Sequence, residues 1–176
     1  MAKKLLVLCM AAIMAVAALV AGCGGDQKAA SDNKVLKVGT NADFAPFEFQ
    51  DENGKEYQGF DMDLIRAIGE EMGYKVEISN IQFDGLIPAI QAGNIDVAIT
   101  GMTINEERKQ NVLFSDPYYK SGLSIIVAKD NNDIKTFQDL KGKKVAVQIG
   151  TTSAAEVNKI GGVEVKEFNS SADTFM

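Results

Sequence analysis

Residues 83–108 read F-D-G-L-I-P-A-I-Q-A-G-N-I-D-V-A-I-T-G-M-T-I-N-E-E-R, and two structural periods meet inside this stretch. From Asp84 the apolar residues Leu86, Ile87 and Ile90 recur at helical spacing, with Asp84 placed to cap the helix and Gly93 to close it. Pro88 falls near the first turn, where a missing N–H costs little. I-D-V-A-I-T (95–100) is nearly all apolar, the pattern of a strand buried on both faces of a sheet. A helix leading at once into such a strand predicts a layered α/β unit.

Working outward, the same alternation continues. Toward the N-terminus, V-L-K-V-G-T (35–40) reads as a strand. Asp61 can cap a helix carrying Ile65, Ile68 and Met72 and ending at Gly73, and V-E-I-S (76–79) is a strand. Toward the C-terminus, Y-Y-K-S-G-L-S-I-I-V-A-K (118–129) is a longer strand-like run, and K-K-V-A-V-Q (143–148) begins a second unit after the turn L-K-G-K. G-T-T-S (150–153) opens a helix bearing Val157 and Ile160 and ended by Gly161, and V-E-V-K-E-F (163–168) follows as a strand. S-S-A-D (170–173) resembles a capped helix start, so the expectation is a fragment cut as an element begins.

Composition removes several function classes. The chain has 176 residues, 24 acidic against 18 Lys+Arg, and no His. A net charge of -6 argues against nucleic acid as a partner, because phosphate binding needs a cationic surface. Without His, Ser-His and Cys-His nucleophilic catalysis is excluded, as is the commonest metal ligand. No G-x-x-x-x-G-K-[ST], G-x-G-x-x-G or calcium-loop spacing occurs, so no metal and no cofactor is expected.

The first 22 residues read as an export signal: Lys3 and Lys4, an apolar run from Leu5 to Val20, then Ala21-Gly22. L-V-A-G-C (19–23) resembles a bacterial lipobox, which implies lipidation of Cys23 and an extracytoplasmic protein anchored to the membrane. Val20 at that position is a tolerated departure. Cys9 is discarded with the signal, so no disulfide is available and stability must come from burial. G-G-D-Q-K-A-A-S-D-N (24–33) holds no large apolar side chain and reads as a flexible tether.

Four segments together resemble the polar amino-acid-binding proteins that feed ABC importers, extracellular solute-binding proteins of family 3. They are G-T-N-A-D-F-A-P-F-E-F (39–49), G-F-D-M-D-L (59–64), residues 83–108 and F-S-D-P-Y-Y-K-S-G (114–122). L-K-G-K-K-V-A-V-Q-I-G-T-T-S (140–153) continues the pattern in order. The resemblance implies the two-lobed α/β fold of periplasmic binding proteins, type II. It divides the chain into a signal (1–22), a lipidated tether (23–33), an incomplete first lobe (34–121) and an incomplete second lobe (122–176). The return of the chain to the first lobe would be missing.

By the same resemblance, Arg108 grips the ligand's α-carboxylate, and a guanidinium fork suits that planar anion better than a lysine. The Gly101 carbonyl and Thr103 hydroxyl accept from the ammonium, and the Thr103 N–H donates to the carboxylate. Thr100 stands at the pocket wall. Phe44 and Phe83 sandwich the ligand side chain, while Phe47 and Phe49 are assigned to the core, and Tyr118 and Tyr119 to the hinge. Thr152, with Thr151 beside it, supplies a backbone donor at a helix start. Asn41 and Gln148 bear on specificity, and a neutral pair there favours a neutral polar ligand with a basic one next. Asp43 is left to reach a cation or cap a turn.

The function implied is a monomeric, non-catalytic receptor that binds a polar amino acid between closing lobes and delivers it to an ABC permease. Two alternatives stand beside it. One is the same lobes serving as a sensory or modular domain. The other is a dehydratase acting on cyclic precursors of aromatic amino acids, for which Glu48 and Asp43 are the nearby carboxylates, neither with an evident partner.

Overall fold

The structure, a computed structural model, describes residues 34–176. The expected signal (1–22) and the tether with Cys23 (23–33) lie outside the described residues. In chain order the elements are β1 (Lys34–Thr40), β2 (Asp43–Phe44), β3 (Glu48–Gln50), β4 (Tyr57–Gln58), α1 (Phe60–Met72), β5 (Tyr74–Asn80), α2 (Leu86–Gln91), β6 (Val97–Ala98), α3 (Glu106–Lys109), β7 (Lys144–Gln148), α4 (Thr152–Asn158) and β8 (Glu164–Phe168). Short 3₁₀ turns occupy Phe83–Gly85, Phe137–Leu140 and Ala172–Phe175.

β1 is central in a parallel sheet of order β5-β1-β6. One face of that sheet packs Val38 and Ile99 on Met62 and Ile65 of α1. The other carries α2, whose Leu86 and Ala89 meet Ile95. Gly39 lets α2 approach, because a side chain there would stand 2.9 Å from the Leu86 Cδ2 atom. β2, β3 and β4 form a small antiparallel sheet that the sequence reading did not separate into strands. A third apolar cluster joins Val147 of β7 to Leu140 and to Ala154 and Val157 of α4, above the parallel β7-β8 pair.

Several expectations are corrected. Asp61 is not a cap: α1 begins after Gly59, and Asp61 is a buried first-turn residue. Asp84 is not a cap either, since it lies in the 3₁₀ turn and α2 has no side-chain cap. α1 buries Met62, Ile65 and Gly69, while Ile68 and Met72 are exposed. The cause is Gly69, over which Val76 of β5 packs in the space a side chain would fill, and this rotates the buried face. β6 is an edge strand among the described residues, with Val97 and Ala98 half-buried, yet both of its faces are covered, as expected: Val97 and Ile99 pack on the α1 side and Ile95 and Ala98 on the α2 side. Residues 118–129 form no strand; Ile125 reaches the third cluster, but Ile126 is 73% exposed.

Candidate functional site

The carboxyl ends of β1 and β6 lie side by side, where ligands are generally held in open α/β sheets. Asn41 leaves β1 there, and its N–H donates to Thr100 Oγ1 at 3.0 Å. Gly101 turns the chain with φ 54°, a left-handed conformation that glycine adopts without strain. The Phe44 ring lies against this bend, 3.6 Å from where a Gly101 side chain would begin. Phe44 itself is 50% exposed.

Arg108 closes the arrangement from α3. Asn105 caps that turn by accepting from the Arg108 N–H, which fixes the backbone from which the side chain departs. The guanidinium is buried at 8% exposure. It donates to the Thr103 carbonyl at 2.7 Å and to the Gly150 carbonyl at 3.0 Å, and it lies 5.3 Å from the centre of the Phe83 ring. Burial lowers its pKa below the ordinary arginine value, with the charge of Glu107 opposing, and an arginine so placed stays charged. Two of its roughly five N–H donors are held by these carbonyls, so the fork retains donors for a carboxylate.

Residues 148–152 face these groups. Gln148 Nε2 donates to Asn41 Oδ1 at 2.7 Å and to the Asn169 carbonyl at 3.1 Å. Thr103 and Thr152 hydroxyls lie 3.5 Å apart. Thr151 is the N-cap of α4, accepting from Ala154 N–H while donating to the Gln148 carbonyl. Gly150, at φ 74°, passes so close to Asp84 that a side chain there would stand 2.9 Å from the Asp84 Cβ. The ten expected positions are therefore linked, directly or through a neighbour. An open hollow of about 820 Å3 lined by Lys55, Tyr57, Arg66, Val76 and Ile78, among others, contains none of them.

Glu48, Asp61 and Tyr118, read from the sequence as a partnerless carboxylate, a helix cap and a hinge residue, come together behind the site. Glu48 of β3 is 1% exposed and Asp61 of α1 is 0% exposed. Asp61 Oδ2 accepts from Gly101 N–H and from Tyr118 O–H, both at 2.9 Å. Glu48 Oε1 accepts from Thr100 Oγ1 at 2.9 Å. Burial first, then the charge of Asp61, pushes the Glu48 carboxyl from the ordinary 4.5 up to about 9. Burial and the same Asp61 push the Tyr118 phenol up. The expectation that Glu48 and Asp43 lack partners is overturned, since Asp43 Oδ2 accepts from Ser171 N–H at 2.9 Å. Phe47 is not in the apolar clusters; it packs edge-on against Tyr119 at 4.8 Å and beside Phe44. The readable signal for Asp61 was its position four residues before Ile65, on the buried face of α1.

The profile of bacterial extracellular solute-binding proteins, family 3, matches residues 36–173. An arginine-binding extracellular protein of Bacillus subtilis (strain 168) is 39% identical over 150 residues, covering 85% of this chain and 57% of the relative. An L-cystine-binding protein of Escherichia coli (strain K12) is 34% identical over 169 residues, with 90% and 63% covered. Among solved structures, an ancestral arginine-binding protein bound to arginine superposes with a TM-score of 0.78 at 53% identity, covering 80% of this chain and 63% of that one. An ancestral arginine-binding protein bound to glutamine gives 0.77 at 54%. This chain shares their α/β fold. It spans about three-fifths of the length of the relatives it matches.

Proposed function

We infer the function from one premise: the chain belongs to the bacterial extracellular solute-binding proteins, family 3. The protein that contains it is a non-catalytic receptor, outside the cytoplasm, that takes a polar amino acid between two lobes and passes it to an ABC importer. One lobe is drawn from residues 34–121 and the other from 122–176. The separate apolar clusters around Val38 and Val147 support that division. The lipobox-like L-V-A-G-C supports an anchor at Cys23, and the unit that binds is a monomer.

The observation that carries this reading is the Arg108 guanidinium, buried between the Thr103 and Gly150 carbonyls with donors to spare. A zwitterion needs paired donors at one end and acceptors at the other. Arg108 and the Thr152 N–H serve its carboxylate, and the Gly101 carbonyl and Thr103 hydroxyl serve its ammonium. Phe44 and Phe83 flank its side chain. Contacts made to both lobes at once bind the closed form better than the open one, and that difference drives closure. Relatives named for arginine and cystine, and ancestral proteins solved with arginine and glutamine, support a polar amino acid.

The test is calorimetric titration of the full-length protein with each of the twenty amino acids. Saturable heat from a polar amino acid is expected, and silence from all of them would overturn the reading.

A further inference from the structure

Glu48 Oε2 and Asp61 Oδ1 are both buried and both lack a hydrogen-bond partner among the described residues. Leaving two such oxygens unpaired in the interior is costly, and two ionised carboxylates in contact are costlier still. The two carboxyls meet at Gly101: Glu48 Oε1 lies 3.7 Å from where a Gly101 side chain would begin, and Asp61 Oδ2 accepts from the Gly101 N–H at 2.9 Å, close enough for the Asp61 charge to act on Glu48. A single proton resolves both problems, because a protonated Glu48 donates where an ionised one cannot.

We propose that Glu48 and Asp61 share one proton, and that this acid pair is the positioning device that sets the ligand-facing bend at Thr100–Gly101. The connected groups run in one direction. Asn41 N–H donates to Thr100 Oγ1, whose own proton goes to Glu48 Oε1. Glu48 Oε2–H then donates to Asp61 Oδ1, and Asp61 Oδ2 collects the Gly101 N–H and the Tyr118 O–H. Asn41, Thr100 and Gly101 are thereby fixed by groups lying behind the site.

The charged and titratable groups that face the pair are few. Asp61 and Asp43 act on Glu48 from α1 and β2, and Tyr118 faces Asp61 from the segment after α3. All three are acidic, and no cation is among the groups that set the Glu48 titration. The proton therefore has no competitor as the compensating charge. The folded protein holds this proton up to about pH 9, whereas unfolded Glu48 releases it near 4.5. Between those values the native state binds more protons, so stability falls as pH rises across that window and levels off above it.

The functional half of this proposal rests on the amino-acid-receptor reading; the proton itself does not. The first measurement is therefore infrared spectroscopy of the full-length protein without ligand. At pH 7 exposed carboxyls are ionised, so a protonated-carboxyl band reports a buried acid. The band is expected in the native protein, lost as pH passes about 9 and absent from Glu48→Gln. Its absence from the native protein at pH 7 would overturn the shared proton even if amino acids bind.

The second measurement is ligand affinity against pH. Glu48→Gln keeps a donor toward Asp61 and is expected to bind within about threefold of the native protein at pH 7. Above pH 9 the native protein should lose up to about tenfold more affinity per pH unit than Glu48→Gln. The ligand's own ammonium titrates equally in both, so only the difference counts. Parallel profiles would overturn the positioning role. Should Glu48→Gln fail to fold, the native band and its loss near pH 9 still decide the proton, and Asp61→Asn supplies the comparison profile.

Discussion

Arg108 and the Glu48–Asp61 pair are charged groups taken out of water, and they are compensated in different ways. The guanidinium is held by the carbonyls of Thr103 and Gly150, which belong to the two different parts of the chain. The acid pair is held by Thr100, Gly101 and Tyr118, all on the same part, and by its own proton. A buried charge whose partners lie on both sides of a cleft senses whether the cleft is closed. One whose partners lie on a single side keeps the same environment open or closed. On the proposed reading, the guanidinium is a clamp and the acid pair is a wall.

The largest expected effect breaks the clamp. Charge-assisted hydrogen bonds contribute roughly 1.5–3 kcal/mol each, so Arg108→Ala should weaken ligand binding by on the order of a hundredfold. Stability of the unliganded protein should change little, because two backbone carbonyls can turn to water once the cleft opens. Titration calorimetry beside thermal unfolding checks both halves. A variant that unfolds instead would make Arg108 a structural residue and erase the contrast.

Asp61→Ala attacks the wall and should show the opposite pattern. Gly101 N–H, Tyr118 O–H and Glu48 all lose their acceptor, and a buried group left unpaired costs about 1–3 kcal/mol. The expected outcome is a loss of about 2–3 kcal/mol in urea unfolding, present with or without ligand. Equal stability of the variant and the parent would show that the pair carries no structural load.

The clamp was easier to read in the sequence than the wall. Arg108 follows G-M-T-I-N-E-E, and that placement marks it for the role proposed for it. The glycine stop of α1 was legible too, since Gly73 takes the left-handed conformation that ends it, whereas α4 ends at Asn158, short of the expected Ile160 and Gly161. Glu48 and Asp61 lie thirteen positions apart in a chain rich in acids, and only folding brings them together. Asp61 also sits where helices favour an acid for its charge alone, which hid its burial. Residues 118–129 failed for another reason. S-I-I-V has the composition of a strand, but a strand needs a partner edge, and among the described residues it finds none. The buried face of α1 was displaced because glycine at 69 admits Val76, a contact that hydrophobic periodicity does not register.

Gln148 offers the smallest effect and the finest discrimination. Its amide reaches Asn41 across the same divide that Arg108 spans, so on this view it belongs to the clamp. The bond is neutral and only half-buried, and such bonds contribute about 0.5–1.5 kcal/mol. Gln148→Ala should therefore weaken every ligand by about fivefold, in the same proportion, because closure is a cost common to all of them. The check is a set of titrations with one neutral, one cationic and one small amino acid. A loss confined to one of these would place the amide against the ligand's side chain, and Asn41–Gln148 would then be a selector instead of a latch.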